Sequence, residues 1–158
     1  MKAIDARSRF VGILSLPDGS IDLAEAALWV AAEQYEGLDV QGYLSRLAGL
    51  AELARPSVES AGSIEQKIAA LCRFLYDEHG FRGNRSDYYD ARNSFLNDVI
   101  DRRTGIPITL AIVYLSVAGS LGLPVSGVGF PGHFLLRCSA AETIVIDPFE
   151  GSLLSRAD

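Results

Sequence analysis

Reactive and metal-binding residues are scarce in this sequence. Its 158 residues include two cysteines, Cys72 and Cys138, and two histidines, His79 and His133. Two cysteines cannot build a disulfide framework, and no ligand pair stands at CxxC or HxxxH spacing, so no zinc motif is written in the chain. The weak set His133, Asp147 and Asp90 or His79 is all that remains for a metal. No metal site and no cofactor are expected. Free cysteines in an apolar helical pattern (Cys72) and at a strand end (Cys138) suit a reducing, cytoplasmic setting. A long apolar run is also missing: a membrane helix needs about 18 consecutive apolar residues. The most apolar stretch, residues 106–123, is broken by Pro107, Thr109, Ser116, Gly119 and Ser120. It reads as a buried core helix, and no membrane partner is expected. The N-terminus lacks the basic-then-apolar layout of a signal peptide. Positive charge is short as well. A formal charge of −6 repels phosphate backbones, so nucleic acid is not an expected partner. Arg82, Arg85, Arg92, Arg102 and Arg103 are interleaved with aspartates and read as a solvated mixed-charge surface.

What is present is ordinary folded composition, 49% hydrophobic and 22% charged, at a length that suits one domain over 1–158. Residues 1–19 read as an irregular lead-in ending in the turn Pro17-Asp18-Gly19. Asp22 with Glu25 makes a capping box before a helix carrying Leu23, Ala26, Ala27, Val30 and Ala31, with Gly37 as its stop. Asp39 caps a second helix with Pro56 just beyond its end. Ser63 and Gln66 open a third, which Gly80 closes. Residues 81–93, FRGNRSDYYDARN, form a polar, aromatic loop, either a functional loop or a surface loop whose tyrosines lid the core. Asn93 or Ser94 caps a short helix that ends at Gly105. Pro107 starts a helix over 107–121 that is apolar nearly all round, and Gly122 and Pro124 stop it. Then the pattern shifts to short β-rich runs at 125–130, 133–138 and 143–147. Helices over about 20–121 followed by strands over about 124–150 predict an α+β fold with a small antiparallel sheet.

The residues that can carry chemistry gather late in the chain. His133 opens a strand after Pro131-Gly132, and Asp147 closes the next. A hairpin around 139–142 brings them within about one residue of cross-strand partnership. A carboxylate beside an imidazole is the base-and-orienter half of a catalytic triad, or else a clamp between two strands. The best place for a nucleophile is the start of the 107–121 helix, where free N–H groups lower a thiol pKa and stabilise an oxyanion. That place holds Ile106, Pro107, Ile108 and Thr109, with Thr109 the only hydroxyl.

These landmarks resemble the transglutaminase-like fold. In that fold a Gly-x-Cys opens a buried helix, an alanine follows four residues after the cysteine, and a Gly-Ile/Leu-Pro closes the helix. Strands bearing the catalytic His and an Asp-Pro come next. Gly105-Ile106-Pro107, Ala111, Gly122-Leu123-Pro124, His133 and Asp147-Pro148 match in order and spacing, with Pro107 where the cysteine would stand. The runs NSFLNDVIDRRTGIPITLAIVYL, GVGFPGHFLLR and IDPFEG, with DLAEAALWVAAEQYEGLD upstream, also resemble a bacterial family named for up-regulation of invasion genes. In that family a tetratricopeptide-like region follows the domain, and this chain ends about where that region would begin.

The resemblance implies a triad of His133 and Asp147 that lacks its nucleophile. Three functions follow. The first is a degenerate domain that binds a protein or peptide segment in a cleft lined by Tyr88, Tyr89, Asn93, Thr109 and Phe130. The second is a hydrolase or acyl-transfer enzyme using His133 and Asp147 with an atypical nucleophile. The third is a scaffold for a following helical region. Oligomeric state is not legible.

Overall fold

The computed structural model describes residues 3–141 and 143–154, with the side chains of residues 3, 4 and 130 outside that description. The N-terminal half is helical. Helix α1 spans Ala3–Leu14, α2 Leu23–Gln34, α3 Val40–Glu59 and α4 Ile64–Cys72, which runs on into a π-helical turn at Arg73–Glu78. The expected N-caps form: Asp22 accepts from the Glu25 amide at 3.1 Å, Asp39 from Gly42 at 2.9 Å and Ser63 from Gln66 at 3.1 Å, while the reciprocal half of the two capping boxes does not, since Glu25 accepts from Trp29 and Gln66 from the Gly62 amide. Each N-cap satisfies an amide that the helix leaves unpaired.

Two boundaries differ from the sequence expectation. Most of the lead-in is a helix, α1, because Ala6 is fully buried and Phe10 and Ile13 pack on the core beside α2. Tertiary burial of one face outweighs a pattern that looks irregular locally. Pro56 lies inside α3 rather than beyond it. Its ring forfeits one backbone bond, but the turn it sits in carries Ala54 and Val58 into the core.

After the π turn come strand β1 (Arg82–Gly83), a 3-10 turn at Ala91–Ser94, helix α5 (Leu96–Arg102), strand β2 (Thr104–Gly105) and helix α6 (Pro107–Ser120). Asn93 and Ser94 lie in the 3-10 turn instead of capping α5, and Phe95 takes the cap position without a side-chain bond. Gly105 does not end α5. Arg103 does, in the left-handed region at φ 56°. That conformation is costly for a side chain other than Gly or Asn, and here the side chain is anchored: its Nη1 donates to the His79 carbonyl at 2.6 Å and its guanidinium lies 5.9 Å from the centre of the Phe81 ring.

Helix α6 is central. Leu110, Ala111, Val113, Tyr114, Val117 and Ala118 are all buried, and α6 packs against α2, α3, α5 and the sheet. The sheet has the order β3 (Val125–Phe130), β4 (His133–Cys138), β5 (Val145–Asp147), β6 (Ser152–Leu154), all antiparallel. Its inner face is fixed by Leu136, Cys138 and Ile146, which are fully buried. By strand alternation His133, Leu135, Arg137 and Asp147 belong to the other face. The mixture of helices with small sheets is the α+β class that the sequence implies.

Gly151 reports how tightly β5 and β6 are joined. It stands at φ +73°, and an added Cβ would lie 2.2 Å from the Tyr76 ring. Gly151→Ala should therefore cost at least about 1–2 kcal/mol from backbone strain alone, with more from displacing Tyr76, read as a lowered urea midpoint. An unchanged midpoint would show that the β5–β6 turn can move off Tyr76.

Candidate functional site

The resemblance would put a thiol at the start of α6. Pro107 occupies the first helical position, where its missing N–H costs nothing. The neighbouring hydroxyl is already committed. Thr109 Oγ1 donates to the Asn93 carbonyl at 2.7 Å and accepts from the Ile106 amide at 3.2 Å, and Thr109 is 3% exposed. A buried hydroxyl held in hydrogen bonds to backbone is not poised for attack. Gly105 allows this packing, since a Cβ there would lie 2.8 Å from Thr109 Oγ1.

His133 and Asp147 are not joined. Among the described residues no hydrogen bond or ion pair links them, and His133 is exposed. The register explains the separation. Leu136 pairs with Ile146, so the same register carried one residue further sets Leu135, not His133, opposite Asp147. The Asp147 carboxylate is occupied elsewhere: its Oδ1 accepts from the amides of Phe149 at 2.9 Å and Glu150 at 3.2 Å. It caps the turn Asp147-Pro148-Phe149-Glu150-Gly151, a local role typical of aspartate before a turn.

That turn builds the larger site. Phe149 rests on Gly83, where an added Cβ would lie 2.4 Å from the ring. The Arg85 guanidinium lies 5.3 Å from the Phe149 ring centre, and Arg85 pairs with Glu150. Tyr76, carried by the π turn, donates to the Pro148 carbonyl, and burial pushes its phenol far above the usual range. Between this turn and the loop after β1 lies an open polar cleft of about 860 Å³, whose lining includes Arg82, Asn84, Asp87, Arg92, Arg102 and Phe149.

The loop after β1 is pinned from below. β1 and β2 form a two-residue parallel bridge, Arg82 beside Thr104 and Gly83 beside Gly105. Asn93, fully buried, donates Nδ2 to the carbonyls of Asp87 and Tyr88 at 2.9 Å each and accepts from Asn84 Nδ2 at 3.0 Å. Asp90 accepts from Arg92 at 2.6 Å, and the Arg92 guanidinium holds its carboxyl down at about 2. Its contribution to loop order is thus present above the ordinary carboxylate range and is lost as pH falls toward 2.

Of the expected liners, Asn93 and Thr109 are corrected. Both are buried and serve as ties beneath the loop: Asn93 bonds the Asp87 and Tyr88 carbonyls from below, and Thr109 bonds the Asn93 carbonyl. Tyr88 is 43% exposed and leans on Phe149 with ring centres 6.0 Å apart, and Tyr89 is 93% exposed. The side chain of Phe130 lies outside the described residues; only its backbone pairing with His133 is seen. The role of Phe149 and Gly83 was not legible, since neither stands at a spacing that signals contact. The arginine-aspartate interleaving of 82–103 was the available signal for the cleft. Among the described residues no three or more His, Cys, Asp and Glu groups come together to hold a metal, and no helix is long and apolar enough to cross a membrane.

Two outcomes follow from this geometry. Asn93→Ala should cost about 1–3 kcal/mol, because it leaves the buried Asn84 amide unpaired and removes two bonds to loop carbonyls; hydrogen exchange should quicken across residues 84–92, and a loss confined to the global midpoint would argue against the tie. Burial raises the Cys72 thiol to about 11, and Cys138 is fully buried. Neither should react with an aromatic disulfide reagent at pH 8 until the protein is unfolded. Prompt labelling of one thiol in the native protein would reveal a nucleophile.

The model of the transglutaminase-like superfamily matches residues 41–158. A UPF0162 protein of Xylella fastidiosa is 41% identical over 140 residues, 88% of this chain and 50% of that protein. A UPF0162 protein of Vibrio cholerae is 37% identical over 115 residues, 72% of this chain and 42% of that one. The F-box only protein 21 of mouse is 49% identical over 86 residues, 54% of this chain and 14% of that protein. The chain thus spans about half the length, or less, of these relatives, and no solved structure matches it. With helix α6, its Gly-Ile-Pro entry and the Asp-Pro turn all inside the matched region, the chain belongs to the transglutaminase-like superfamily.

Proposed function

We propose that this domain is a transglutaminase-like framework without thiol chemistry that acts as a binding module for a protein or peptide segment. The observation that carries the reading is the start of α6: Pro107 stands where the resemblance puts the nucleophile, and the hydroxyl of the first turn, on Thr109, is buried and bonded. The separation of His133 from Asp147 supports it from the other side. What the framework retains is a shaped surface. The cleft between loop 84–92 and the turn at 147–151 is open, polar and held rigid from beneath, with Tyr88 and Tyr89 beside it. Rigid aromatic side chains next to an arginine-lined cleft bury area at small entropic cost. In the invasion-gene family that the sequence resembles, such a domain precedes a tetratricopeptide-like region, and the segment bound would belong to a partner of the longer protein.

The test is a peptide array probed with the intact domain and with Tyr89→Ala and Arg82→Ala variants. Tyr89 is 93% exposed, so its removal should leave stability nearly unchanged. Each variant should weaken the best peptide by about tenfold, as for a residue worth about 1–2 kcal/mol at an interface. Equal binding by all three would place recognition elsewhere. Release of ammonia or cleavage of a glutamine peptide, abolished by His133→Ala, would overturn the non-enzymatic reading.

A further inference from the structure

A second surface lies away from the loop cleft, at the free edge of β3. Strand order makes β3 the outermost strand on one side of the sheet. Which of its backbone groups face outward follows from the pairing. Phe130 and His133 close the two-residue turn at Pro131-Gly132, with Gly132 at φ +76°. On β4, the Cys138 amide donates to Ile144 on the β5 side at 3.1 Å, and the Ser139 amide donates back to Pro124 at 2.8 Å. Alternation along this ladder directs Ser126, Val128 and Phe130 toward β4, and Val125, Gly127 and Gly129 away from it. The outward N–H and C=O groups of Gly127 and Gly129 have no partner among the described residues.

This edge lacks the usual protection. Residues 125–130 read VSGVGF, six residues with no charge, no lysine and no proline, although Pro124 and Pro131 bracket them. Exposed edges of this kind are ordinarily blunted by charge, proline or a bulge, because they template another strand. The two outward positions are glycines, both exposed, and glycine inside a strand marks a place where another backbone approaches closely. A groove of about 670 Å³ runs beside the edge, floored by Ile112 and Leu115 of α6 and walled by Leu23 at the start of α2. Among the described residues its lining contains Asp18 and Asp22 and no lysine or arginine.

We propose that the β3 edge accepts an extended peptide strand of a partner, with apolar side chains in alternation and a net positive charge. Residues of that peptide opposite Gly127 and Gly129 turn their backbone groups to β3 and their side chains toward α6, into the groove. Charge selects this occupant over a second copy of the chain, whose net charge is −6 and whose own β3 brings no cation. The proposal is independent of the loop cleft, with which the groove shares no lining residue.

The probe is the peptide acetyl-Val-Lys-Val-Lys-Val-Lys-amide, added to the isotope-labelled domain and followed at each backbone amide. The Gly127 and Gly129 amides should exchange rapidly in the free protein and become protected with peptide. Methylating the valine nitrogens should weaken binding by at least about tenfold, since it removes backbone bonds to β3. Methylating the lysine nitrogens should change it little. Asp18→Asn with Asp22→Asn should weaken it several-fold at low salt and not at high salt; Asn at position 22 still caps α2. Equal loss from both methylated sets, or no protection at Gly127 and Gly129 at millimolar peptide, overturns the proposal. Protection that grows with protein concentration alone, with doubling of the mass, assigns the edge to self-association and overturns the partner reading. Tyr89→Ala should leave all of these results unchanged, which separates this surface from the loop cleft.

Discussion

The hydroxyl of Thr109 is the point on which the site region depends. It touches the Asn93 carbonyl and the Ile106 amide at once, so one buried group ties the end of the long loop to the start of the central helix. Gly105 leaves the room for it. Above this contact the Asn93 amide holds the carbonyls of Asp87 and Tyr88, and β1 bridges to β2. Buried polar groups of this kind are costly to leave unpaired, so the tie is cooperative: removing one partner strands the others. The same bonds occupy the Thr109 hydroxyl.

The turn at 147–151 gives the Asp147 carboxylate a local task. An aspartate at the end of a strand suits an imidazole orienter, yet here its carboxylate accepts two amides of its own turn. The turn in turn seats Phe149 on Gly83 and is held by Tyr76 and Arg85. Through these contacts the sheet and the helical half meet along the loop cleft. The arginine-rich stretch is then not a free electropositive surface, because Arg85 and Arg92 already have acidic partners.

Local patterns were legible where the physics is local. The caps at Asp22, Asp39 and Ser63, the proline entry and glycine exit of α6, and the run of β3 and β4 follow from nearest-neighbour hydrogen bonding and side-chain periodicity. The helix α1 and the interior Pro56 were not legible, because burial of Ala6 and Val58 against distant elements decided them. The short strands β1, β2 and β6 were missed for the same reason. Strands of two or three residues carry no period and exist only through their partners.

The sequence by itself determined the α+β order of elements, the absence of cysteine at the start of α6 and the placement of His133 and Asp147 on adjacent strands. These depend on residue identity and on spacing within a strand or helix turn. Only the tertiary structure decided that His133 and Asp147 stay apart, that Asn93 and Thr109 are interior ties rather than surface liners, and that β3 is left as an open edge. Register, burial and strand order are set by contacts between residues far apart in the chain, and no local pattern encodes which of several compatible pairings packs best.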